Sequence, residues 1–236
     1  APRVDEFRRA CLSFPSGVGL GWDKAHPRAF LRLSDEAIRA LLRVLVLAEL
    51  VGAWPATIGC LFVVLLPKPD GGMRPIGLLP TLVRIWTRLR LSVARSWQAT
   101  NDRIYFYAGP TRSADKAAWK QAALAETARS AGAACGVGLL DLQKAFELVP
   151  WDILATAARE TGYNMRMLRL SIAAYSLDKT VTVGGACSGL VRAKRGITAG
   201  SAFATIELRL LLIRALDAVA RVSRTATLTV YMDDVA

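Results

Sequence analysis

Three acids carry the chemistry that this chain offers. Asp233 and Asp234 are adjacent and directly follow the run Ala226-Thr227-Leu228-Thr229-Val230-Tyr231-Met232, while Asp141 closes the run Gly136-Val137-Gly138-Leu139-Leu140-Asp141. Successive residues of a regular strand point to opposite faces, so adjacent acids can serve one site only where the strand turns over. An Asp pair at a strand end therefore signals a hairpin tip. If the strand ending in Asp141 lies beside that hairpin, three carboxylates converge. Like charges at that range raise one another's pKa and oppose ionisation, a conflict that a divalent cation resolves. Mg²⁺ suits carboxylate and phosphate oxygens, with Mn²⁺ as a substitute. Two such ions about 3.5–4 Å apart stabilise the attacking and leaving oxygens of an in-line phosphoryl displacement. Taken singly, each acid has a plain structural explanation as a turn former or helix cap.

Other chemistries are poorly supplied. His26 is the single histidine and sits in Lys24-Ala25-His26-Pro27-Arg28, which reads as an exposed basic loop. Sites built on histidine pairs are thereby excluded, and a Ser/His/Asp triad would have to use this residue. Cys11, Cys60, Cys135 and Cys187 lie far apart, without zinc spacing or a secreted disulfide framework, and read as buried free thiols in a reducing compartment.

The elements that must position the acids follow from periodicity and turn signals. Residues 4–54 are mostly helical, interrupted by a Gly/Pro-rich loop from Phe14 to Gly21; Ser34 caps a helix with Asp35 and Glu36 in its first turn. The uncharged stretch Leu50–Pro67 is broken by Gly52, Pro55 and Gly59, so it reads as a helix end, a turn and a buried strand, not a membrane span. Leu61–Leu66 and Met73–Leu79 form a hairpin around Pro69-Asp70-Gly71-Gly72, with Pro75 confining the second strand to an edge. Thr81 to Gln98 is a helix carrying Arg84, Arg88, Arg90 and Arg95, and Ala114–Ala131 is another. Residues 136–142 read as a strand, 151–175 as one or two helices, Thr180–Gly185 as a strand whose partner lies near 189–195, Ser201–Arg221 as a long helix and 226–232 as a strand. Helices interleaved with antiparallel hairpins indicate an α+β fold.

These residues now resemble a known family. Tyr231-Met232-Asp233-Asp234 resembles the Y-x-D-D motif of reverse transcriptases, and Asp141 to Phe146, an Asp followed five positions later by an aromatic, resembles their first palm motif. Arg195-Gly196-Ile197-Thr198-Ala199-Gly200-Ser201 is similar to the intervening G-x-x-Q-G-S motif. Leu66-Pro67-Lys68-Pro69-Asp70-Gly71-Gly72-Met73-Arg74-Pro75-Ile76 resembles the fingers hairpin of non-LTR retrotransposon and group II intron enzymes. Tyr105–Ser113 is a weaker match through Arg112-Ser113.

The resemblance implies a polymerase right hand, with an N-terminal helical region (1–60), fingers (61–133) and a palm of antiparallel sheet packed on helices (134–236), the chain ending before primer grip and thumb. It further implies that Asp141, Asp233, Asp234 and the carbonyl of Leu142 bind two Mg²⁺ ions, that Lys68 and Arg74 hold the nucleotide triphosphate, that Phe146 excludes a ribose 2′-OH, and that Gly200 lines the nucleotide site. The implied partners are an RNA template, a DNA primer and deoxynucleoside triphosphates, with Arg112 of the weaker motif on the nucleic acid; Arg84, Arg88 and Arg95, which recur at helical spacing on one side, read either as a solvated face or as a track for that nucleic acid. Ala199 stands where the family has Gln. A decayed, binding-only relative and an RNA-dependent RNA polymerase are the alternatives.

Composition agrees with a polyanionic partner. The 236 residues carry 31 Lys and Arg against 19 Asp and Glu, a net charge of +12, and 53% are hydrophobic, enough to bury a core. Residues 60–130 contain eleven basic and four acidic residues. The polar start at Ala1–Arg9 lacks a signal-peptide pattern, and the absence of an initiator Met reads as a fragment or processed chain. An intracellular location, nucleus or cytoplasm, is expected.

Overall fold

The computed structural model describes residues 2–69, 71–109, 112–222 and 226–235. Asp70 of the expected hairpin turn and Thr111 and Pro110 of the weaker motif lie outside them. The helices are α1 (Val4–Leu12), α2 (Asp35–Val51), α3 (Thr81–Thr100), α4 (Ala114–Ser130), α5 (Trp151–Glu160), α6 (Met165–Tyr175) and α7 (Ala204–Val222). The strands are β1 (Leu61–Pro67), β2 (Met73–Leu78), β3 (Leu140–Asp141), β4 (Lys179–Val183), β5 (Ala186–Cys187), β6 (Val230–Tyr231) and β7 (Asp234–Val235). The mixed α+β composition agrees with the sequence pattern.

Local chemistry explains the boundaries. The Ser34 hydroxyl accepts a hydrogen bond from the Ala37 N–H at 3.2 Å, and Gly52 ends α2 in the left-handed region at φ +77°. A short 3-10 turn over Ala56–Ile58 then leads into β1, so the uncharged stretch divides as its glycines and proline indicate. Among the described residues no helix is long and apolar enough to cross a membrane. His26 is half-buried and structured, which corrects the exposed-loop reading. Its Nδ1 accepts from the Arg28 N–H at 3.1 Å, so Nε2 carries the proton and faces the Pro15 and Ser16 carbonyls, each at 3.2 Å.

Two sheets result, in the orders β2-β1-β4-β5 and β3-β7-β6. The first is mixed, not purely antiparallel: β1 pairs antiparallel with β2 but parallel with β4, Leu61 opposite Lys179 and Val64 opposite Thr182. It joins strands from residues 61–133 and 134–236. β2, carrying Pro75, is an edge strand as its proline requires. The partner of β4 comes sooner than expected, at 186–187, with a further bridge from Lys179 to Val191. The strand expected over 136–142 shrinks to 140–141 among the described residues, with Gly136 and Gly138 weakening extended pairing before it. The 226–232 strand likewise contracts to 230–231.

The main core is organised around α3. Trp86 is 1% exposed and stacks edge-on with Trp54 (centroids 5.5 Å apart) and Phe203 (5.4 Å). Its indole N–H donates to Glu49 Oε1 at 2.6 Å, and Arg90 grips the same carboxylate with two bonds, so α2, α3 and the start of α7 share one buried node. Asp23 caps α3 from a distance, accepting from the Thr81 N–H at 2.7 Å. Cys11 is buried and its thiol is pushed up to about 12 by burial, whereas Cys135 and Cys187 are exposed, which corrects the reading of all four as buried.

A polar group lies within this core. Glu207 is fully buried; its Oε2 accepts from the Tyr175 hydroxyl at 2.6 Å, and Oε1 has no hydrogen-bond partner among the described residues. Burial raises its carboxyl from 4.5 to about 7, with the Tyr175 bond pulling the other way. Tyr163 and Tyr175 beside it are held far above their ordinary range by burial and stay neutral.

Because the folded-state pKa of Glu207 is raised, its proton stabilises the fold fully below pH 4.5, and that contribution is lost as pH rises to about 7. Urea unfolding of wild type and Glu207→Gln should give a stability difference that moves by about 3 kcal/mol in favour of the variant between pH 4.5 and 8. A difference independent of pH would show that folding does not raise the Glu207 carboxyl above its unfolded value.

Candidate active site

The site begins with a turn. β6 and β7 pair antiparallel with Tyr231 opposite Asp234, leaving Met232 and Asp233 at the corner and Met232 in the left-handed region at φ +57°. β3 then adds to the other side of β7, with Asp141 opposite Asp234. Residues directly opposite in an antiparallel pair share a face with Cβ atoms about 4.5–5.5 Å apart. Asp141 and Asp234 are exposed and Asp233 is half-buried at the tip. Among the described residues no group of three or more acidic, His or Cys side chains is arranged to hold a metal ion. The donors present are carboxylate and carbonyl oxygens, which match Mg²⁺ and not a soft metal.

A three-strand ladder this short needs outside support. The Tyr107 N–H donates to the Val230 carbonyl at 2.7 Å and the Val230 N–H to the Tyr105 carbonyl at 2.8 Å, so residues 105–107 extend the sheet beyond β6. α7 holds that loop. Asp217 accepts from the Tyr105 hydroxyl at 2.6 Å and from Arg103 Nε and Nη2, both at 3.0 Å. Burial raises the Asp217 carboxyl, yet these bonds outweigh it and leave it below its ordinary value. Arg209, 5% exposed, lies over the Phe106 ring at 4.2 Å and donates to the Ala108 carbonyl.

The turn after Asp141 meets the segment 195–201. The Leu142 carbonyl accepts from the Ala145 N–H at 3.1 Å, and Phe146 is partly buried against the core. The Ile197 N–H donates to the Phe146 carbonyl (2.7 Å), the Gly196 N–H to Val149 (2.8 Å) and the Trp151 indole to Gly196 (2.8 Å). On its other side the segment reaches β2, where the Gly77 N–H donates to the Ala199 carbonyl at 2.8 Å. Gly200 adopts φ +114°, and a Cβ there would stand 2.5 Å from the Gly77 carbonyl oxygen. The fit requires glycine. Ser201 shares the Tyr175 hydroxyl with Glu207, at 2.9 Å.

The basic residues divide. Arg88 and Arg95 line a cleft of about 600 Å³ together with Gln98, Arg112, Tyr231 and Met232, which joins the α3 face to the aspartate hairpin. Arg84 is turned elsewhere by its bond to the Gly19 carbonyl at 2.7 Å, while it and Arg88 both lie over the Phe14 ring, each at 5.1 Å. Arg112 directs its guanidinium inward, to the Arg103 carbonyl, to Phe106 (2.7 Å) and to Asp102 (3.1 Å), so it organises the loop as well as lining the cleft. Lys68 and Arg74 stand exposed near the far end of the β1–β2 hairpin, with Arg74 opposite Leu66, while the base of the hairpin touches residue 199. Glu207, Arg209 and Asp217 do not figure in the motifs. Their signal was available as charges inside the apolar periodicity of α7.

The profile of the family described as "Reverse transcriptase (RNA-dependent DNA polymerase)" matches residues 66–236. No curated protein matches. Among solved structures, the chain is similar to apo telomerase from Candida Tropicalis truncated from its C-terminal domain, at 13% identity and a TM-score of 0.48. That match covers 85% of this chain and 48% of the telomerase chain, so this chain spans about half the length of that relative.

Replacing Gly200 by Ala should destabilise the protein by about 2 kcal/mol or more, from the left-handed backbone and the blocked approach to Gly77. Gly189→Ala, in open space, should stay within about 0.5 kcal/mol of wild type. Equal urea midpoints for the two variants would rule out the close approach.

Proposed function

The chain belongs to the reverse transcriptase family, and from that premise we propose that it carries the fingers (61–133) and part of the palm (134–236) of an RNA-directed DNA polymerase of the non-LTR retrotransposon or group II intron type. The observation that carries this reading is the register of the small sheet, with Asp141 opposite Asp234 and Asp233 at the adjoining turn. Asp141, Asp233, Asp234 and the Leu142 carbonyl would hold Mg²⁺. Bound there, the metal neutralises the acids and polarises phosphate oxygens.

In the reaction the primer 3′-hydroxyl oxygen forms a bond to the α-phosphorus of a deoxynucleoside triphosphate, and the bond to pyrophosphate breaks. The acids orient that exchange. Lys68 acts as a point charge and Arg74 as a fork on the triphosphate, brought over the site with their hairpin. The Phe146 ring takes up the space that a 2′-hydroxyl would need, and Gly200 leaves room beside it. Arg88 and Arg95 follow the template along the cleft, with Arg84 and Arg112 supporting that face. A binding-only relative is the second reading, favoured by Ala199, whose methyl side chain offers no polar group where the family has Gln.

Asp233→Asn should lower Mg²⁺-dependent extension of a DNA primer on an RNA template by about 100-fold or more, with template binding retained. An intact parent protein that binds primer and template but extends nothing, and is not rescued by Ala199→Gln, would establish the binding-only reading. Phe146→Ala should raise the use of ribonucleotides relative to deoxynucleotides in the same assay. Unchanged discrimination would remove Phe146 from the selectivity role.

A further inference from the structure

Trp119 presents its indole to solvent on α4 at 75% exposure. A single exposed apolar residue needs no explanation. Its surroundings are what single it out. Lys116, Trp119 and Lys120 fall on one face of the helix at i, i+3 and i+4. Together with Tyr107, Arg112 and Asp115 they line one surface depression. The Lys120 ammonium lies 5.5 Å from the Tyr107 ring centre and the Arg112 guanidinium 5.9 Å from it, so cations hold that ring in place beside the open indole.

The patch is tied to the aspartate hairpin. Tyr107 bonds Val230 through its N–H, and Gln121 on α4 bonds Thr229, so loop and helix both pack along the run that leads into Met232 and Asp233. Arg112 lines both this depression and the cleft containing Tyr231 and Met232. A strand leaving that cleft past Arg112 would therefore meet Trp119 next.

We infer that Trp119 is a stacking platform for a base of single-stranded nucleic acid outside the active-site cleft, with Lys116 and Lys120 on the flanking phosphates. The charge decides the occupant. Three cations and one acid around one exposed indole and a half-buried tyrosine ring suit a strand that offers a π-face and a phosphate at every step, whereas protein interface cores are depleted in lysine. The inference rests on the polymerase reading for the strand's position, but its binding test requires no catalysis.

The test measures anisotropy of fluorescein-labelled 12-nucleotide single strands, RNA and DNA, and of a blunt duplex, with the full chain. Trp119→Ala should weaken single-strand binding by about 10-fold and leave duplex binding unchanged, and Trp119→Phe should keep most of the affinity. Both variants should melt with wild type, since the indole is exposed. Tighter binding of RNA identifies the strand as template and tighter binding of DNA as product; either supports the platform. Equal losses on single strand and duplex, no loss in Trp119→Ala, or loss of self-association alone would overturn it. A protein that binds primer and template, extends nothing and is not rescued by Ala199→Gln, yet shows the Trp119-dependent difference, would establish the binding-only reading and leave the platform standing.

Discussion

The structure is arranged around the pairing of two acids. Asp141 and Asp234 stand opposite one another across a ladder two residues long, a position where like charges destabilise a sheet. The described ladder is tied to the rest of the molecule at its outer edge. The stabilisation comes from larger elements. The loop at 105–107 bonds the outer edge of β6, and buried or half-buried charges of α7 hold the loop. Removing that loop's anchor at Asp217 would therefore be felt at the acids without touching them.

A second constraint joins the parts of the chain. The segment 195–201 bonds the turn after Asp141 on one side and β2 on the other, and two of its glycines come closer to backbone oxygens than any side chain allows. The hairpin bearing Lys68 and Arg74 and the turn bearing Phe146 thus share one strip of backbone as their common reference. The same strip continues through Ser201 to Tyr175 and the buried Glu207, so its footing lies in the core and not at the surface.

Much of this was legible in the residues. The hairpin tip at Asp233, the broken apolar stretch after Leu50, the edge position of β2 and the Ser34 cap all follow from local rules of strand alternation, turn chemistry and capping. What was not legible depended on partners distant in sequence. The parallel pairing of β1 with β4 has no local signature. His26 looked like a loop residue because its flanks are basic; its ring is fixed by the Arg28 N–H and by the Pro15 and Ser16 carbonyls, eleven and ten positions earlier. Arg84 and Arg112 matched a surface stripe and a motif, yet Gly19, Phe14 and Asp102, to which they turn, could be identified only once the chain was folded.

The pairing of β1 with β4 also sets an order of events. Residues 61–78 can close their hairpin as soon as they are made, but the inner edge of β1 lacks its partner until residues 179–183 arrive, about a hundred positions later. Through that interval of synthesis, Leu61, Phe62, Val63 and Val64 present an unpaired apolar edge, the feature from which misassembly between nascent chains starts.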